Sequence, residues 1–269
     1  MEPVSALLLF VMAIMAGAIN SAVGSGSLLT LPVLMALGLP PGVAVRTNTT
    51  GMVFASFGSV MGYRKEIKKE LPYLAPMVVV TILASATGSL LLLASPSSTL
   101  DFVVPVLIVV ALLMVVFQPK LTAWLSRRSA GVADRGAEHA AGEPVGEAWK
   151  RPQLIAPMGA AAVYGGYFTA AQGILYMAIM SVATGRSLKD VNPVKNFLSL
   201  FVNITAAVVY LVAWAFFGAE IVWLGVAIVA VGGLIGGMGG SHIAKRLPNA
   251  VLRGIIVVVA LVALIRQFV

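Results

Sequence analysis

Long runs without a charged residue dominate the chain. Five such runs occupy residues 3–45, 72–98, 152–185, 196–219 and 221–241. Each exceeds the about 20 residues that a helix needs to cross the hydrocarbon core of a bilayer. The pattern predicts an all-α membrane protein. Single spans are predicted at about 46–63, 72–94, 101–117, 191–218, 221–242 and 250–268.

Two of the runs do not suit a single helix. As one helix, residues 152–185 would be about 51 Å long, against a hydrocarbon core of about 30 Å. Basic residues flank this run on both sides, which predicts that both of its ends are cytoplasmic. We therefore expect a broken or re-entrant hairpin of two short helices. Residues 3–40 have a similar length, and we expect them to form a second hairpin that enters from the opposite face.

The positive charges lie in the connections between the apolar runs. Basic clusters occupy 64–69, 120–151 and 245–253, whereas the connections at Asp101 and Glu220 carry only acidic charge. The positive-inside rule places the basic connections in the cytoplasm. The net charge of +8 is thus a topology signal and does not indicate a nucleic-acid-binding surface.

Composition excludes a soluble domain. Hydrophobic residues make up 59% of the chain, charged residues only 10%, and the mean hydropathy is +0.99. Soluble domains average about 25% charged residues. The absence of Cys excludes disulfides, thiolate metal sites and cysteine nucleophiles.

The two halves of the sequence match each other at nearly constant spacing. Each half contains one hairpin and three spans, an odd number of crossings, so the halves must have opposite orientations, as in many secondary transporters. We predict about eight transmembrane segments in two inverted-topology repeats, 1–117 and 154–269, joined by a flexible cytoplasmic linker, 118–153. A short interfacial helix around residues 121–125 is the alternative within the linker. The matched pairs are Gly26 with Gly173, Gly38 with Gly185, Gly88 with Gly240, Ser89 with Ser241 and Pro96 with Pro248.

Each hairpin is interrupted by small and polar residues, at 20–27 and at 165–173. Non-helical backbone survives at membrane depth only where protein buries it or where it lines a wet cavity. Helices that restart after such a break direct N–H groups and positive dipole ends towards it, which favours an anion. The alternative is that the breaks are tight turns for helix packing. The candidate substrate-binding residues here are Asn20, Ser21, Gly24, Ser25, Gly26, Ser27, Gln172 and Gly173.

A polar cluster follows each hairpin, and each cluster contains one cation and at least one Asn. An ionisable residue within a membrane is expensive and usually functional. Arg46 and Lys195 are therefore expected to make the site electropositive; as the alternative, both anchor the chain at opposite interfaces. Asn203 either deepens the site or joins two helices. The candidate residues are Arg46, Thr47, Asn48, Asn192, Lys195, Asn196 and Asn203.

Other features predict structure or weigh against enzymes. Gly232, Gly236 and Gly240 lie at helical spacing and predict a close helix–helix contact. His242 is expected to be structural, with proton handling as the alternative. Ser25 and His242 could form an intramembrane hydrolase pair, but no nucleophile elbow and no acidic partner accompany them. The pattern of an ATP-binding loop is absent from the sequence.

The first break and the helix after it, NSAVGSGSLL and LPVLMALGLP, together with the similar segment from Tyr164 to Gly173, resemble the sulfite exporter TauE/SafE family. The resemblance covers nearly the whole chain outside the linker. It implies about eight membrane segments in two halves and transport of sulfite, sulfonates or other sulfur-containing organic anions. Ser25, Ser27 and Gln172 depart from the family pattern and are expected to tune substrate choice.

Taken with the residues themselves, the resemblance predicts an inner-membrane secondary transporter, not an enzyme. It is expected to export a small anion, sulfite or an organosulfonate, by alternating access between the two hairpins. An anion channel and an intramembrane hydrolase are the alternatives. The anion and the lipid bilayer are the expected partners, and neither a cofactor nor a metal is expected. Since acids are nearly absent from the spans, we expect transport driven by membrane potential rather than tight proton coupling.

Overall fold

The computed structural model describes residues 2–140, 149, 152–243, 254, 257 and 258. In these residues the chain is helical throughout, with no strand, as predicted. A one-turn 3-10 helix, Leu71–Tyr73, separates α4 from α5. The α-helices are α1 Pro3–Ala22, α2 Ser27–Ala36, α3 Pro41–Gly62, α4 Arg64–Glu70, α5 Ala75–Ala94, α6 Ser97–Ala140, α7 Pro152–Phe168, α8 Gln172–Thr184, α9 Leu188–Phe217 and α10 Trp223–Ile243.

Five helices of the described chain are long and apolar enough to cross a membrane: α1, α5, the first part of α6, α9 and α10. The prediction of a multi-pass membrane protein is thereby confirmed. Helix α3 has the length of a span but carries the polar stretch 46–50, most of which is buried within the protein. The last predicted span, 250–268, lies almost wholly outside the described residues.

Both long uncharged runs are broken into two helices at the predicted places. The breaks lie between α1 and α2 and between α7 and α8. Positive backbone φ angles recur at a spacing of 147 residues: Gly24 (83°) corresponds to Ala171 (60°), and Gly38 (91°) to Gly185 (68°). The two halves therefore share a left-handed residue within the break and another at the end of the following short helix, while the positive φ of Thr169 has no counterpart in the first break.

The halves are interlocked. Helix α1 of the first half packs on α10 of the second, which also packs on α3. Helix α7 of the second half packs on α5 of the first, which also packs on α9. Each half thus buries its first helix against the other half.

Glycines allow these helices to approach closely. A Cβ atom at Gly236 of α10 would overlap the carbonyl of Ile14 on α1, and one at Gly232 would lie 2.9 Å from the carbonyl oxygen of Phe10. The predicted helix–helix contact of this glycine ridge is confirmed. Gly88 and Gly166 give α5 and α7 the same closeness, because a Cβ on either would overlap backbone of the partner helix.

The end of α6 corrects one prediction. The helix continues to Ala140, so residues 118–140 are helical rather than a flexible connection. Its Ala, Leu and Arg residues are strong helix formers, and their propensity outweighs the lack of an apolar run. Residues 152 and 153 of the predicted linker already belong to α7, and 141–148, 150 and 151 lie outside the described residues.

A polar contact joins three connections at one end of the molecule. The carboxylate of Glu70, at the end of α4, accepts a hydrogen bond from Trp149 Nε1 at 2.7 Å and one from Arg186 at 2.9 Å. The guanidinium of Arg186 lies 5.3 Å from the centroid of the Trp149 ring. The chain before α7 and the chain after α8 therefore lie at the same end as the basic helix α4.

Candidate functional site

The two breaks touch each other. The N–H of Gly173 donates a hydrogen bond to the carbonyl oxygen of Gly24 at 3.2 Å. A Cβ atom on either residue would lie only 2.5 Å from the Cα of the other, so both positions require glycine. The tips of both hairpins consequently meet inside the protein.

Side chains of α9 bind the carboxyl end of α1. The last carbonyls of a helix have no partner within that helix. Lys195 Nζ donates to the carbonyl oxygen of Asn20 at 2.8 Å, and the amides of Asn192 and Asn196 donate to that of Ser21 at 3.1 and 3.0 Å. Three residues of the second polar cluster are thus brought to the first break.

Lys195 is the buried cation of this region. Its exposed fraction is 0%, and its second hydrogen bond goes to the side-chain oxygen of Asn196 at 2.9 Å. An ammonium has three donors, so one N–H is left by these two bonds. Among the described residues no carboxylate forms an ion pair with Lys195, and its Cδ lies 3.3 Å from where a Cβ on Gly24 would be. A buried charge in such neutral surroundings is expensive and calls for a functional explanation.

Two buried donors flank the contact between the breaks. Ser25 Oγ and Gln172 Nε2 have no hydrogen-bond partner among the described residues, although their side chains are 0% and 2% exposed. The two residues are 147 positions apart, the same spacing that relates the two breaks. Ser21 Oγ and Tyr176 Oη are further buried hydroxyls without a partner, and Asn203 Oδ1 is a buried acceptor without one. Buried polar groups are normally hydrogen-bonded, so the unpartnered donors Ser25 Oγ and Gln172 Nε2 suit a ligand with acceptor oxygens.

The second break is strained and firmly held. Thr169 and Ala171 have φ angles of 66° and 60°, and such a backbone costs roughly 1–3 kcal/mol per residue outside glycine. The hydroxyl of Thr169 lies 2.9 Å from the hydroxyl of Thr49 on α3. Tyr210 donates to the carbonyl of Gly166 at 2.9 Å. Strain that the surroundings over-determine in this way is concentrated at functional sites.

The first polar cluster has different surroundings. Arg46 Nε donates to the carbonyl of Glu220, in the connection between α9 and α10, at 3.0 Å. Thr47 accepts a hydrogen bond from the N–H of Val222 at 3.1 Å. No described hydrogen bond links Arg46 to either break. This position suits the interfacial-anchor alternative, and the edge-to-face pair Trp214–Trp223 lies on the helix ends that this connection joins.

Two Asn residues join helices. Asn48 accepts from the hydroxyl of Thr30 on α2 at 2.5 Å. Asn203 donates to the hydroxyl of Ser56 on α3 at 2.7 Å, which is the helix-joining alternative, while its Oδ1 lacks a partner. Neither contact reaches the point where Gly24 and Gly173 meet.

Backbone turns at the first break satisfy some of the N–H groups that were expected to point towards an anion. Leu28 and Leu29 donate their N–H groups to the carbonyls of Ser25 and Gly26, at 3.1 and 2.9 Å. A Cβ at Gly26 would overlap the carbonyl of Ala16, so Gly26 is a close-packing position. Ser27 is buried at the start of α2. The breaks thus combine tight packing with orphaned side-chain donors.

Sequence reasoning missed part of the second break. Thr49 and Thr169 both lie in the polar stretches that the sequence analysis identified. Both are threonines, and their hydroxyl groups could have marked them as candidates. The hydroxyls of Tyr210 and Ser89 both donate to the carbonyl of Gly166. The sequence distinguishes Ser89 only as a match to Ser241, and Tyr210 has no signal of its own in its apolar span. Ser25 Oγ contacts no base among the described residues, so the hydrolase alternative gains no support.

Comparisons with known proteins agree over almost the full length. The family model described as "Sulfite exporter TauE/SafE" matches residues 9–266. The "Probable membrane transporter protein YfcA" of Escherichia coli (strain K12) is 26% identical over 257 residues, which cover 94% of this chain and 86% of that protein. The "Probable membrane transporter protein ORF9" of Sinorhizobium sp is 25% identical over 258 residues, covering 96% and 90%. No solved structure matches the chain.

Proposed function

Because the chain belongs to the sulfite exporter TauE/SafE family and is a multi-pass membrane transporter, we propose that it exports a small anion, sulfite or an organosulfonate, across the inner membrane. One observation carries the proposal: two broken hairpins meet inside the protein beside a fully buried lysine and two buried donors without partners. Paired helix breaks at corresponding positions are the usual location of a transporter's substrate site.

The proposed binding groups are the third N–H of Lys195, the hydroxyl of Ser25 and the amide of Gln172. All three can donate a hydrogen bond to an oxyanion, and the ammonium of Lys195 can only donate. Asn192 and Asn196 hold the end of α1 and so fix the geometry of the first break. The other candidate residues of the two polar clusters would hold the helices around the two breaks in place.

We further propose two inverted repeats, 1–117 and 154–269, with re-entrant hairpins and 118–153 between them. The constant spacing of positive φ angles and the reciprocal packing of α1 on α10 and α7 on α5 support this plan. The contacts of Glu70 with Trp149 and Arg186 support it too, because they bring both ends of the second hairpin to one end of the molecule.

Alternating access follows from such a plan. Rocking one half against the other would open the site to each side in turn, with the Gly24–Gly173 contact as the pivot. Expelling a monovalent anion from a negative interior gains about 2.3 kcal/mol per 100 mV, so the membrane potential can drive export.

Proteoliposomes test the proposal. Purified protein is reconstituted, and uptake of labelled sulfite, methanesulfonate and thiosulfate is measured with and without an imposed potential. We expect saturable uptake of at least one of these anions, and we expect it to increase when the liposome interior is made positive. Uptake no faster than in protein-free liposomes for all three would refute the proposed function. Unsaturable flux at channel-like rates would instead favour the channel alternative.

A further inference from the structure

We propose that the site between the breaks selects monovalent over divalent anions, an inference that rests on the proposed function. The one cation that the site can offer an anion is the ammonium of Lys195, because every other binding group identified there is neutral. The substrate class is then a small monoanionic oxyanion, such as a sulfonate or hydrogensulfite, rather than sulfate, thiosulfate or the sulfite dianion.

The helix ends at the breaks add no net charge. A helix carries about half a positive charge at its amino end and half a negative charge at its carboxyl end. Helices α2 and α8 begin at the breaks, whereas α1 and α7 end there. The partial charges of two positive and two negative helix ends therefore sum to about zero. The net charge of the site then depends on Lys195.

Other charged groups are engaged elsewhere. Arg46 binds the carbonyl of Glu220 at the α9–α10 connection. Glu70 is bound by Arg186, and Asp190 accepts from Ser187 at 2.5 Å. The other acids whose side chains the structure describes, Glu2, Glu66, Asp101 and Glu220, are exposed, and no described contact brings any of the six acids to the buried Lys195.

The neutral donors would hold the anion by hydrogen bonds, while Lys195 compensates its charge. Ser25 and Gln172 lie on opposite hairpins at equivalent positions, next to the bonded pair Gly24 and Gly173, and each has an unpartnered donor. We expect each of them to bind one oxygen of the anion. They supply hydrogen bonds without charge. The second charge of a dianion would thus remain uncompensated in a fully buried region, which is strongly unfavourable.

Methanesulfonate and sulfate provide the test, since they share a tetrahedral oxyanion head and differ by one charge. Binding to the wild-type protein is measured by calorimetry at one pH and constant ionic strength. We expect sulfate to bind at least about tenfold more weakly than methanesulfonate. Equal or tighter binding of sulfate would overturn the charge inference and leave the proposed function intact. If neither these two nor sulfite bind, the proposed function itself fails.

Two variants locate the selectivity. Lys195→Gln should weaken methanesulfonate binding and bring the ratio of the two affinities close to one, because the matching charge is gone. Ser25→Ala is the matched control and should weaken both anions by a similar factor, leaving their ratio unchanged. An unchanged ratio in Lys195→Gln would show that another group sets the selectivity and would overturn the inference. Should that variant not fold, the wild-type comparison still decides.

Discussion

The contact between Gly24 and Gly173 predicts a graded set of stability losses. Gly24 combines a φ of 83° with a neighbouring backbone atom that a Cβ would approach to 2.5 Å. Gly173 has the same steric restriction in a helix with ordinary φ. Gly38 has a φ of 91° but nothing within 4 Å of its Cβ position. The three glycines therefore separate the cost of the left-handed backbone from the cost of the collision.

The magnitudes follow from these two terms. Gly38→Ala should lower the free energy of unfolding by about 1–2 kcal/mol, the penalty of a left-handed L-residue. Gly173→Ala should lower it by about 1–3 kcal/mol through overpacking, offset by up to about 1 kcal/mol of helix propensity. Gly24→Ala carries both penalties and should lower it by about 2–5 kcal/mol.

Apparent melting temperature in one detergent gives the ranking, with Gly24→Ala lowest and the other two between it and the wild type. Transport in proteoliposomes should fall in Gly24→Ala and Gly173→Ala and remain in Gly38→Ala, since only the first two alter the meeting point of the hairpins. If Gly24→Ala were no less stable than Gly38→Ala, the two breaks would not touch as described.

Three more predictions concern single side chains. Ser25→Ala should weaken anion binding by roughly 0.5–1.5 kcal/mol, the worth of one neutral hydrogen bond, without lowering the melting temperature; calorimetry and thermal unfolding check this, and unchanged affinity would remove Ser25 from the site. Arg46→Gln should lower the melting temperature and leave anion affinity unchanged, because its described bond goes to the carbonyl of Glu220; a loss of affinity without a loss of stability would return Arg46 to the site. The native chain has no Cys, so single cysteines at Glu2 and Lys65 can be labelled cleanly with an impermeant maleimide. We expect residue 2 to react from outside and residue 65 from the cytoplasm, and cytoplasmic labelling of residue 2 would contradict the inverted repeats.

The fold was largely predictable because membrane insertion depends on features that are local in sequence. Uncharged length, flanking Lys and Arg, and glycine-rich interruptions located the helices and both breaks. At most a short helix around residues 121–125 could be predicted within the helical extension of α6, because the sequence after it has no apolar run. Helix propensity acts there without the hydrophobic signal that identified the spans.

The site was only partly predictable because partners in space are not encoded by residue type. Lys195 and Arg46 looked alike in sequence, each a lone cation after a hairpin. Lys195 reaches the unpaired carbonyl of Asn20 at the end of α1, whereas Arg46 reaches the carbonyl of Glu220 at a connection. Which carbonyl each cation meets depends on how the two halves interlock, and that is a property of the assembled fold.

The bond between Lys195 and Asn20 also bears on how the protein is made. Its partners are 175 residues apart, which is about 9–35 s of synthesis at 5–20 residues per second. Throughout that interval the carboxyl end of α1 is already translated while the side chains that will bind it are not. Until α9 emerges, the last carbonyls of α1 have no partner from the second half, and exposing them to lipid would be strongly unfavourable. The first break therefore reaches its described hydrogen bonding only after the second half has been made.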